Sequence, residues 1–105
     1  MTCFFVTNPV FADTIVIKMD VSKPDGRTWD VSGGAPDPYV IVNGHAYREA
    51  RCQDRFTCSI EVSESGSMYI QVVDADAMDD DYDAGSTSCS TGNTCRTAGA
   101  SITVL

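Results

Sequence analysis

The chain predicts an all-β fold, an antiparallel β-sandwich folded as one domain, and three observations carry that expectation. Apolar residues alternate with period two over much of the chain, short apolar runs recur, and clusters of Gly, Pro, Asn and Ser separate them. A length of 105 residues fits one domain with one modest core. No stretch is long and apolar enough to cross a membrane as a helix, and no internal repeat is evident.

Taken in order, residues 1–12 are apolar and uncharged, and the polar chain starts abruptly at Asp13. Val10-Phe11-Ala12 ends in a small residue, as a signal-peptidase site does, so 1–12 is expected to be the remnant of an export signal. The competing expectation is a first, edge β-strand. The domain proper is then 13–105. Over 14–21, Ile15, Ile17, Met19 and Val21 share one face while Lys18 and Asp20 take the other, which predicts a half-buried strand. Residues 39–42 and 68–73 read as short buried strands, and 56–62 alternates more cleanly still. Asn43-Gly44 carries the signal of a type I′ hairpin turn. Residues 45–55 suit a helix or a strand, and their place after the hairpin favours a strand. Residues 86–100 are small and polar and read as irregular, and 101–105 reads as a last strand. About six strands are legible in this way.

The cysteines agree with export. Without the leader, Cys3 is gone and Cys52, Cys58, Cys89 and Cys95 remain, an even set in two pairs of equal spacing. Four cysteines allow three connectivities, and spacing alone does not choose among them. Zinc is disfavoured because neither pair has the short ligand spacing and His45 is the only histidine. A secreted or periplasmic location, with disulfides, is the expectation.

Charge narrows the function. With 15 acidic against 7 basic residues the formal charge is −8, which disfavours nucleic acid as a partner. It equally disfavours anionic lipid unless something neutralises the acid first. Six carboxylates crowd into residues 74–83, directly after an apolar strand. Carboxylates gathered on a loop are what a hard, oxygen-seeking cation such as calcium requires, although most acidic runs are only solvated loops. An EF-hand does not fit. Counting from Asp74 puts Asp79 where the loop needs Gly, and counting from Asp79 puts Ser90 where it needs Glu. Nothing supports an enzyme: His45 sits in no nucleophile motif, and there is no phosphate loop or zinc-hydrolase pattern.

Two acidic segments bring a family into view. Asp37-Pro38-Tyr39-Val40, with Asp30 before it, resembles the first calcium loop and following strand of C2 domains. Val73-Asp74-Ala75-Asp76 followed by Asp80-Asp81-Tyr82 resembles the third calcium loop of that family. The likeness covers the whole of 13–105. It implies a C2-like β-sandwich with Asp30, Asp37, Asp74, Asp76 and Asp81 as calcium ligands, Asp79 or Asp80 standing as alternatives to Asp81. It also implies calcium-dependent docking on anionic phospholipid, with Trp29, Val31 and Met78 as candidate apolar tips that enter the interface. Trp29 reads equally as a core residue or a lid over the loop, and Met78 alternatively as a gap-filler in the sandwich. The family has eight strands, two more than are legible here. His45, Arg48, Arg51 and Arg55 are offset by Glu49 and Asp54 and read as an ordinary mixed surface. The alternative expectation, of a different class, is an exported, disulfide-stapled sandwich that binds a protein partner, with calcium structural or absent.

Overall fold

The computed structural model describes residues 13–30, 33–76 and 80–105. The export-signal expectation for 1–12, and the roles expected of Val31, Met78 and Asp79, lie outside the described residues. Among the described residues eight strands run β1 (Asp13–Met19), β2 (Pro38–Val42), β3 (His45–Tyr47), β4 (Thr57–Val62), β5 (Ser67–Asp74), β6 (Tyr82–Ser90), β7 (Thr94–Arg96) and β8 (Ala100–Val104). They form two four-stranded antiparallel sheets, ordered β4-β1-β8-β7 and β3-β2-β5-β6.

The period-two pattern is the reason these segments pair. Ile15, Ile17 and Met19 of β1, Ile60 and Val62 of β4, and Ile102 and Val104 of β8 all point inward and are buried. Val40 and Val42 of β2 with Met68, Ile70 and Val72 of β5 meet them from the other sheet in one continuous core. Burying each such side chain stabilises the fold by about 1.5–3 kcal/mol, so the alternation itself selects register. A slip of one residue would turn every one of these side chains to solvent.

Asn43 and Gly44 both take positive φ, at 49° and 87°, as a type I′ turn demands. They join β2 to β3 in the tight hairpin expected of them.

Three segments differ from the reading of the sequence. β1 ends at Met19, and Val21 is 86% exposed rather than inward. The strand stops where its partners begin, β4 opposite Lys18 and β8 opposite Met19; beyond them the Met19 N–H still donates to the carbonyl of Phe56 and the Asp20 N–H to Gly99 O. Residues 45–55 form only a three-residue strand before the chain closes into a 3-10 turn at Ala50–Cys52. Residues 86–100 are not irregular. They hold most of the nine-residue β6 and all of β7, giving eight strands rather than six. Their inward residues, Thr87 and Cys89, are small or polar, so no hydrophobic alternation announces them.

A register shift between Gln71 and Val73 of β5 marks a bulge in its pairing with β6. It lies opposite Gly85, whose φ is +98° and whose place leaves no room for a side chain. A Cβ there would stand 2.6 Å from the Ala98 nitrogen. Asp83-Ala84-Gly85 is therefore strand and bulge together.

Cys52 pairs with Cys58 and Cys89 with Cys95, at Cα separations of 5.4 and 5.9 Å. The first bridge ties the 3-10 turn that follows β3 to β4. The second ties β6 of one sheet to β7 of the other.

Candidate functional site

Antiparallel pairing decides which connections share an end of the sandwich. Pro38 at the start of β2 stands opposite Asp74 at the end of β5, and Asp74 stands opposite Tyr82 at the start of β6. The β1–β2 connection, the β5–β6 connection and the β3–β4 connection therefore emerge together.

Asp30, Asp37, Asp74 and Asp76 line one cavity of about 200 Å³ at this end, with Trp29, Ala35 and Ala75. Asp81 lies in the adjoining groove of about 530 Å³. Asp37 and Asp76 also border that groove, together with Tyr39, Arg48, Glu49 and Gln53. The two acidic segments, 37 residues apart at Asp37 and Asp74, thus meet. Among the described residues the carboxylates line the cavity without converging on a single point as a metal-ligand set.

Internal donors hold the carboxylates apart. Asp74 Oδ1 accepts from the Asp37 N–H at 2.8 Å, and Asp37 Oδ1 accepts from the Asp54 N–H at 2.6 Å. The Ala75 N–H donates to Asp37 O at 3.0 Å, lacing the loops together. Asp81 has three partners here. It accepts from the Asp76 N–H at 3.0 Å and from the Tyr39 hydroxyl at 2.8 Å, and Arg48 stands 3.7 Å away. The Asp76 N–H, then the Tyr39 hydroxyl, with Arg48 beyond them, hold its carboxyl below the usual range. Burial first, then the Asp81 carboxylate, pushes the Tyr39 phenol up.

Asp74 goes the other way. Burial raises its pKa above the ordinary carboxylate value, the Asp37 N–H opposes this, and the charges of Asp37 and Asp76 raise it further. A buried carboxyl with a raised pKa is one whose nearby positive charge falls short of what its burial requires. Its ionisation opposes folding as pH rises through the raised value, and the penalty is absent below the unfolded value of 3.8. Asp74→Asn is therefore expected to stabilise the ion-free protein at pH 7, while its Oδ1 still accepts from Asp37. The gain should shrink as pH falls toward 3.8. Urea titrations in EDTA at pH 7 and pH 4 measure both effects, and equal midpoints for the two proteins at pH 7 would refute this account.

The cavity thus gathers four aspartates, whose oxygens are the donor type a hard cation takes, without setting them as one ligand group among the described residues. Of the two expectations for Trp29, the structure gives the core residue. It is buried at 4% exposure, donates its indole N–H to Asp20 O at 2.7 Å, and meets Tyr82 edge-on at 5.7 Å. Its ring edge lies over Gly99, where a Cβ would come within 2.9 Å. Trp29 anchors the loop that carries Asp30 and is no apolar tip.

Three residues of this end had no site role in the sequence, Arg48 and Asp54 reading there as ordinary mixed surface. Asp54 belongs to it through its N–H to Asp37. Its carboxylate and that of Asp30 would lie 3.6 and 3.2 Å from a Cβ at Gly34. Arg48 stacks on the Tyr39 ring at 3.9 Å, and Lys23 Nζ sits 4.5 Å over the Tyr82 ring. No spacing in the sequence announces these three, since the folding of the β1–β2 and β3–β4 connections is what brings them in. No protein-family model matches the chain, and no curated protein matches it.

Proposed function

We propose that this protein is a calcium-binding, C2-like β-sandwich whose acidic end docks on anionic phospholipid when the ion is bound. One observation carries the reading: the topology delivers Asp30 and Asp37 from the β1–β2 connection and Asp74 and Asp76 from the β5–β6 connection to one cavity. The eight strands in two four-stranded sheets, the number the resemblance calls for, support it.

Asp37, Asp74 and Asp76 would hold the ion, with Asp30 beside them and Asp81 on the groove side. Bound there, calcium supplies positive charge that offsets the acidic end and can be shared with a lipid phosphate. Asp74 gains the compensation its burial denies it. With the charge offset, the loops lose their repulsion for an anionic surface. Two disulfides in so small a domain agree with an oxidising, extracellular setting, where sites of Kd about 10⁻⁴–10⁻³ M are useful.

The burial of Trp29 favours a second reading, since it takes an apolar anchor away from the lipid surface. In it the ion only stiffens an exported sandwich that binds a protein partner.

Melting in EDTA, in magnesium and in millimolar calcium tests the site. Calcium at about a hundred times its Kd adds ~2.7 kcal/mol, a rise on the order of 10 °C for a domain of this size. The rise is expected to be absent with magnesium and lost in Asp74→Asn/Asp76→Asn. No calcium-specific rise would sink the proposal. Sedimentation with phosphatidylserine vesicles then separates the two readings, the second requiring no pelleting in calcium.

A further inference from the structure

Two cations are seated on tyrosines at the margins of the acidic end, one on each side of the second sheet. Tyr82 stands opposite Asp74 and packs inward against Trp29. Lys23 Nζ lies 4.5 Å over the ring of this residue, the direct cross-strand neighbour of Asp74. Tyr39 stands opposite Val73, facing the other side, and is buried beneath the Arg48 guanidinium at 3.9 Å. Arg48 lies in turn 3.7 Å from Asp81. Each ring fixes a positive charge where the flexible stem alone would not hold it.

The chain has only seven basic residues, and the acidic end draws on two of them. Among the described residues, neither is bonded to a carboxylate as closely as Arg96 is to Asp20, at 2.8 and 2.7 Å. Lys23 and Arg48 are thus near the acids without being locked to them.

We infer that Lys23 and Arg48 are resident counter-ions, which offset part of the charge of the acidic end in the ion-free protein and compete there with an incoming divalent cation. The inference rests on the reading of the acidic end as a calcium site and adds what sets its affinity. Arg48 shares the Asp81 carboxylate with any ion that Asp81 would ligate, and Lys23 supplies part of the compensation for Asp74. Both make the ion-free loops stable at the expense of affinity.

Calorimetric titration of the oxidised protein with calcium chloride tests this, using Lys23→Gln, Arg48→Gln and the double variant. Lys18→Gln is the control, an exposed charge on the other sheet. Each site variant is expected to bind calcium roughly three- to tenfold more tightly, the scale of a partly solvated charge pair acting on a divalent ion. The double variant should bind more tightly again, and the control should shift affinity less than about twofold. Melting adds a second readout. In EDTA the variants should melt below the parent protein, and in saturating calcium at the same temperature or above.

Unchanged or weaker calcium affinity in both variants, with a parent protein that binds, would overturn the inference and leave the calcium site standing. A variant that melts lower in calcium as well as in EDTA would do the same, since that marks a packing role. Absence of calcium binding by the parent protein would instead remove the site, and the competition with it.

Discussion

Trp29→Ala is expected to lower the unfolding free energy by about 3–5 kcal/mol, the range for removing a buried aromatic side chain. The expectation follows from three contacts made by one residue. The indole N–H is satisfied by Asp20 O, the ring edge meets Tyr82, and Gly99 leaves the ring room against Ala84. Alanine would leave a cavity between the two sheets and an unsatisfied Asp20 carbonyl. Trp29→Phe should keep most of the packing and cost about 1 kcal/mol for the lost hydrogen bond. Urea unfolding in EDTA measures both, and Trp29 emission at a solvent-exposed wavelength in the folded protein would contradict the burial. Because the same side chain anchors the connection that carries Asp30, Trp29→Ala should also weaken the calcium binding proposed above.

Loss of both disulfides has the other large expected effect. Each bridge closes a loop of six residues' separation, and in the chain-entropy model a loop this short is worth about 2–3 kcal/mol. Together they amount to ~5 kcal/mol, against a total of about 5–15 kcal/mol for an ordinary domain. Adding a phosphine reductant should therefore lower the melting temperature by tens of degrees, on the order of 4–8 °C per kcal/mol. A fall of only a few degrees would show that the core of aliphatic side chains suffices alone. Cys52→Ala/Cys58→Ala and Cys89→Ala/Cys95→Ala apportion the loss.

The strands legible in the sequence are those whose inward residues are large and aliphatic. β1, β2, β4, β5 and β8 bury Ile, Val and Met on alternate positions, and these strands are readable to within a residue or two. β3, β6 and β7 are edge strands with His, Ala, Ser, Thr and Cys in them, so their pairing is dictated by neighbours rather than by their own pattern. Val21 misleads for the opposite reason, being apolar at the right interval but beyond the last strand partner. At the acidic end, Asp37 and Asp74 stand at strand boundaries, and the boundary residues carry them into view. Lys23, Arg48 and Asp54 are not legible, because each lies in an irregular connection whose path depends on what it packs against. The burial of Trp29 is equally hidden, since it depends on the bare surface of Gly99, 70 residues away.

The two bridges also have a meaning that no stability figure contains. A two-sheet sandwich has two open flanks, here β3 beside β4 and β6 beside β7. One disulfide closes each flank, Cys52–Cys58 where β3 leads into β4 and Cys89–Cys95 from β6 to β7. The strands at risk of recruiting another chain are those with exposed backbone donors and acceptors, and β6, nine residues long and without a lysine or proline, is the most exposed to that hazard. Oxidation pins β6 at Cys89 to β7, so the edge of one sheet is held beside the edge of the other. The covalent tie makes the placement of this edge, and not only the stability of the fold, depend on the oxidised state of Cys89 and Cys95.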